Sequence, residues 1–208
     1  MFIKCFPSGP FATNAYLIGC PKTKKAFIVD PAPECANALL AEKGWQIEGI
    51  LLTHSHWDHI GDCKKLKEKL DVPVYVHETD RGNLENPGSD GLPLMFPIEG
   101  VTPDHMIRGG DVLLLGDLQI EVIETPGHTP GGVCFYLPAE NVILSGDTLF
   151  QGSIGNLSFP TADPEAMWQS LEKLEKLPKE TKVYPGHGPE TTIGAENWLP
   201  RAREIFGE

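Results

Sequence analysis

Residues 47–59 read IEGILLTHSHWDH, an apolar run that ends abruptly in three histidines and an aspartate. The run has the pattern of a buried strand. Within six residues beyond it, His54, His56, Asp58 and His59 offer four metal-competent side chains. So many polar rings cannot enter a core without partners. A single tight loop after the strand could present all four in different directions. Imidazole with carboxylate and no thiolate suits zinc, iron or manganese.

Three further segments repeat this grammar of apolar run, Gly-rich turn and metal-competent residue. They are T-P-G-H at 125–128, S-G-D-T at 145–148 and Y-P-G-H-G at 184–188. Glycine permits the sharp turns and close backbone approach that a crowded site requires. With the first motif they use five of the seven histidines. His77 and His105 read as structural histidines satisfied by their neighbours.

Around these motifs the chain alternates short elements. Strands are predicted over 2–6, 15–19, 26–30, 47–53 and 72–77, with a β-rich stretch over 111–145 and a short strand at 182–184. Helices are predicted over 34–43, 60–70, 161–177 and 197–206. Thr161-Ala162-Asp163-Pro164-Glu165 supplies the cap, early proline and early acid of a helix start. Residues 81–108 are rich in Gly, Pro and Asn and read as a functional loop, with Met95 and Phe96 as an apolar lid or as loop anchors. Lys64, Lys65, Lys67 and Lys69 read as a solvated helix face. The order of elements fits two sheets faced by helices, an α+β arrangement in one domain over 1–208.

Lys and Arg number 17 against 29 Asp and Glu, a formal net charge of −12. That balance argues against nucleic acid and anionic membrane surfaces as partners. No apolar run is long enough to span a bilayer, and no secretory leader is visible. The five cysteines are irregularly spaced with no C-x-x-C pair, so a reducing cytoplasm is expected rather than a disulfide framework. Cys63, close to the histidine motif, reads as a half-buried thiol.

H-S-H-W-D-H, P-G-H-T-P-G, S-G-D-T-L-F and P-G-H-G together resemble the metallo-β-lactamase superfamily, and within it the small glyoxalase II-like hydrolases. The likeness runs from T-N-A-Y-L-I at 13–18 to G-H-G-P-E-T-T-I-G-A-E at 186–196. It implies a four-layer αββα sandwich with a two-metal site. It assigns His54, His56 and His128 to one metal, Asp58, His59 and His187 to the other, and Asp147 to both. Two divalent ions are implied, zinc first, with iron or manganese as alternatives. A water held between them at Asp147 would be acidified into a nucleophile. The catalytic set is then Asp58 and that water.

The resemblance leaves several chemistries open, because fold does not fix substrate. The leading expectation is hydrolysis of a small-molecule thioester such as S-lactoylglutathione. The alternatives are a mononuclear iron persulfide dioxygenase, a hydrolase of another ester or lactone, and a metal-binding scaffold without turnover. His59 argues against the zinc β-lactamases. No C-terminal helical domain for gripping glutathione is expected. Where relatives often carry G-R-T-D, this chain has Gly155-Asn156-Leu157-Ser158, which removes a permanently charged donor. Phe150, Trp57 and Asn156 are the candidate substrate contacts.

Overall fold

The computed structural model describes residues 1–207. The first sheet contains β1 (Phe2–Ser8), β2 (Thr13–Gly19), β3 (Lys25–Val29), β4 (Gln46–Leu51), β5 (Val74–His77) and β6 (His105–Ile107), in that spatial order. The second contains β7 (Val112–Leu115), β8 (Leu118–Glu124), β9 (Val133–Leu137), β10 (Val142–Gly146), β13 (Lys182–Pro185) and β14 (Thr191–Thr192). A hairpin of β11 (Leu149–Phe150) and β12 (Ser153–Ile154) stands apart.

Period-two alternation explains the layering. On β2 and β3, Ala15, Leu17, Ala26 and Ile28 face an outer core, while Tyr16, Ile18, Phe27 and Val29 face the space between the sheets. The outer core is completed by α1 (Ala36–Ala41), α2 (Trp57–Ile60), α3 (Cys63–Leu70) and α4 (Arg81–Glu85). The second sheet alternates likewise. Val133, Phe135 and Leu144 point inward, and Cys134, Tyr136 and Ile143 pack against α5 (Pro164–Glu175) and α6 (Ala202–Phe206). The result is the expected αββα sandwich.

Topology then dictates where a site can form. β3, β4, β5 and β6 run parallel, so their C-terminal ends share one edge. In the second sheet β10 is parallel to β13 and two antiparallel steps from β8, so those three also end together. Main-chain hydrogen bonds join the sheets at this common edge: Val133 N–H to Thr53 C=O at 2.8 Å, and Asn14 N–H to Gly186 C=O at 2.7 Å. Ligands in open parallel sheets bind beyond such carboxyl ends.

Several expectations are corrected. The helix predicted over 60–70 forms only at Cys63–Leu70, because Ile60 closes the separate α2 and the chain turns at Gly61 and Asp62. A Cβ at Gly61 would collide with Pro33, and Asp62 Oδ2 accepts the Ala36 N–H at 2.7 Å, so it secures the start of α1 rather than continuing a helix. The 81–108 segment is not wholly loop, since it contains α4 and β6. The helix predicted over 197–206 forms an α-helix only at Ala202–Phe206. Cys63 is fully buried rather than half-buried, and burial pushes its thiol up to about 12. All five cysteines are free. Among the described residues no helix is long and apolar enough to cross a membrane.

His77 and His105 stand outside the histidine cluster. The His77 ring contacts Thr79 Oγ1 at 2.9 Å and Glu124 Oε1 at 3.2 Å, and His105 stacks on Tyr75. On α3, Lys64 pairs with Glu68, and Lys67 with Asp104.

Candidate metal centre

The loop after β4 carries His54 and His56 and runs into α2, which carries Asp58 and His59. The loops after β8, β10 and β13 bring His128, Asp147 and His187 to the same place. Potential ligand atoms of His54, His56 and His128 lie within 4.8 Å of one another, as do those of Asp58, His59 and His187. Asp147 sits between the two groups. Its Oδ1 is 3.3 Å from His59 Nε2, and its Oδ2 is 3.4 Å from both His128 Nε2 and His187 Nε2.

Other groups hold four of the five rings in place. The Asn156 carbonyl lies 2.9 Å from His128 Nδ1, and the Phe11 carbonyl 3.3 Å from His187 Nδ1. Thr53 Oγ1 lies 3.1 Å from His54 Nδ1, and Asp30 Oδ2 lies 3.0 Å from His59 Nδ1. Thr13 Oγ1 donates to Asp58 Oδ2 at 2.7 Å. Outer partners of this kind fix ring orientation and tautomer in metal sites. Of the inner atoms, His56 Nδ1 and His128 Nε2 meet at 2.9 Å, while His54 Nε2, His59 Nε2 and Asp147 Oδ1 are buried without a hydrogen-bond partner. Buried polar atoms are rarely left so. A divalent cation in each cluster would satisfy them, and the histidine and aspartate donor set fits a two-metal site.

Electrostatics point the same way. Burial, reinforced by neighbouring histidines, holds His54 well below the usual range and His56 at about 3, so both are neutral and free to donate a lone pair. Burial opposes ionisation of Asp147, but His59, His187 and His128 outweigh it and hold the carboxyl well below its usual range. His59 and His187 are raised despite burial, because Asp147 and Asp58 face them. Two dications would replace those protons as the counter-charge.

Two aspartates that sequence reading missed organise the loops. Asp30, just after β3, accepts from Thr53 N–H at 2.7 Å and Thr53 Oγ1 at 2.5 Å, and also contacts His59. Asp80 accepts from Ser55 N–H and Gly131 N–H, both at 2.7 Å, and from the Ser55 and Thr129 hydroxyls. It therefore ties the His54–His59 loop to the His128 loop. Asn83 adds a bond to the Ser55 carbonyl at 2.7 Å. The one local hint of Asp30 was its position before Pro31 at a strand end.

Close packing at Gly186 is equally demanding. A Cβ there would fall on Asp147 Oδ1 and lie 2.7 Å from His59 Cε1. Gly186→Ala is therefore expected to reduce metal content, measured by elemental analysis, while the far-ultraviolet dichroism of the fold is retained.

The three candidate substrate contacts all line one cleft of about 370 Å³ above the ligands. Trp57 is buried and packs between Phe11 and Phe96, with ring centroids at 5.2 and 5.5 Å. Phe150 lies 5.9 Å from the His187 ring. Asn156 orients His128 through its main chain, while its side-chain oxygen accepts from Ser158 N–H at 2.8 Å.

The profile of the Metallo-beta-lactamase superfamily matches residues 8–187. This chain belongs to that superfamily. Relatives of this metallo-β-lactamase superfamily member include the probable metallo-hydrolase YqgX of Bacillus subtilis, 38% identical over 91% of this chain and 92% of its own length. The hydroxyacylglutathione hydrolase of Brucella ovis is 36% identical over 82% of this chain, which spans only 60% of that relative. Among solved structures, the BLEG-1 B3 metallo-beta-lactamase superposes with a TM-score of 0.88 at 35% identity, covering 99% of this chain and 100% of its own. TTHA1623 in a di-iron-bound form superposes with a TM-score of 0.81 at 40% identity, covering 93% and 96%. The superfamily member described here is thus a metallo-hydrolase with residues suited to two metals.

Proposed function

We propose that the protein is a binuclear metal-dependent hydrolase of acyl thioesters, with S-lactoylglutathione as the reference substrate. The observation that carries this reading is the pair of ligand clusters sharing Asp147, with an open cleft above them. The identity to the Brucella hydrolase supports the thioester class. In this reading His54, His56 and His128 hold one ion and Asp58, His59 and His187 the other. Zinc is the first candidate. The di-iron form of TTHA1623 supports iron as the second, and the donor set also admits manganese.

Bound divalent ions supply Lewis acidity, which acidifies water and polarises a carbonyl. The chain's own residues do the rest. Asp147 and Asp58 present negative charge where a water proton must be lost, and Thr13 fixes one oxygen of Asp58. The backbone carbonyls of Asn156 and Phe11 keep the lone pairs of His128 and His187 directed inward. Two equivalents of bound metal would support this reading, and a single iron would favour the dioxygenase alternative.

Protein loaded with two equivalents of zinc is expected to release thiol from S-D-lactoylglutathione, with turnover falling by at least about 10²-fold in Asp58→Ala. No turnover of this or any uncharged thioester by protein verified to hold both ions would defeat the thioester assignment. A second reading, β-lactam hydrolysis, rests on the likeness to BLEG-1 and is tested by a chromogenic cephalosporin in the same assay.

A further inference from the structure

The formal charge that the cleft presents belongs entirely to the candidate ligand set. Among the described residues, its remaining lining is apolar, hydroxyl or amide, and none of it is Lys or Arg. Phe159 packs against the rings of both His56 and His128 at 5.5 Å, and Phe150 stands beside His187. At the mouth, Phe11 and Phe96 flank Trp57 and are 55% and 37% exposed, an unusual investment of aromatic surface in water. The nearest run of cations does not help. Lys64, Lys65 and Lys69 line a separate groove with Pro97 and Glu99.

A glutathione thioester brings two carboxylates and one ammonium. Against the walls away from the ligand set, a carboxylate at the end of a substrate arm gives up water and receives no charged donor in return. An uncharged acyl thioester loses nothing comparable and gains contact with the exposed rings.

Resting on the hydrolase reading above, we propose that the site selects thioesters whose acyl and thiol arms are uncharged and apolar, over glutathione thioesters, and that Phe11 is a specificity-determining contact. The cleft accepts one arm against Phe11 and Trp57 and the other against Phe150 and Phe159, with the scissile carbonyl over Asp147.

The test compares two substrates with the same acyl group and the same leaving sulfur. One is S-D-lactoylglutathione, the other its N-acetyl dimethyl ester, in which every charge is masked. With protein verified to hold two metals, the masked ester is expected to show kcat/KM higher by about tenfold or more, carried by KM. Phe11→Arg is expected to reverse part of that gap by favouring the charged ester. Equal values, or a preference for glutathione itself, would overturn the proposal while leaving the hydrolase reading intact. If neither ester turns over, the thioester reading fails. Charge selection is then decided by binding of S-hexylglutathione and its N-acetyl dimethyl ester, followed as quenching of Trp57 fluorescence with Trp57→Phe as the control. Tighter binding of the masked thioether supports the proposal, and equal or weaker binding overturns it.

Discussion

Asp147→Ala is expected to leave the protein holding at most one metal ion and to lower thioester turnover by roughly 10³-fold or more. The carboxylate lies 3.3–3.4 Å from His59, His128 and His187, so a single truncation takes a potential ligand from both clusters. Asp58 touches one cluster only, with its Oδ2 3.3 Å from His187 Nε2 and 3.6 Å from His59 Nε2. Asp58→Ala should therefore lose one ion where Asp147→Ala weakens both. Elemental analysis after dialysis, paired with chelator competition, distinguishes the two patterns. Equal two-metal occupancy in Asp147→Ala would refute the shared-ligand assignment.

The second large effect is expected at Asp30. This buried carboxylate receives the Thr53 N–H, the Thr53 hydroxyl and the His59 ring. Asp30→Ala leaves two donors and an imidazole in a dry environment with no acceptor. Breaking a buried charged network of this kind costs about 3–5 kcal/mol. For a chain of this size that corresponds to a fall in Tm on the order of 10 °C. Metal affinity should weaken by about 10–100-fold as His59 loses its orienting partner. Asp30 also adopts a left-handed backbone, φ 48°, which Asp and Asn tolerate better than Ala. Asp30→Asn keeps the backbone preference and the shape but not the charge. A full return of Tm in Asp30→Asn would assign the loss to backbone strain, and a partial return would assign it to the carboxylate. Calorimetry on metal-free protein separates folding from metal binding.

How much of this was legible beforehand depended on distance along the chain. His54, His56, Asp58 and His59 announce themselves because four potential ligands crowd one loop. The turns at 125–128, 145–148 and 184–188 follow because glycine leaves a sequence trace wherever backbone must approach closely. Asp30 and Asp80 leave none. Asp30 lies 23 residues from Thr53 and Asp80 25 residues from Ser55, and only the parallel ordering of β3, β4 and β5 makes them neighbours. The break between α2 and α3 was hidden for a similar reason. Ile60 and Leu66 are both buried on either side of Gly61 and Asp62, and what interrupts the ladder is the Asp62 N–H, which goes to the Pro31 carbonyl of another segment. Asn156 illustrates the converse. A missing arginine drew notice to its side chain, yet its contact with His128 is made by the main chain, which any residue supplies.

The ligand residues divide between the sheets: His54, His56, Asp58 and His59 extend from the first, and His128, Asp147 and His187 from the second. Each candidate metal position draws on both. A loaded ion is thus a rivet through two plates, and neither plate can swing away while it stays in place. Chelator and heat then become a single stress. A scavenger can reach the ions through the open cleft, and a chain that has lost them keeps its sheets together by the apolar layer and the main-chain bonds between them alone.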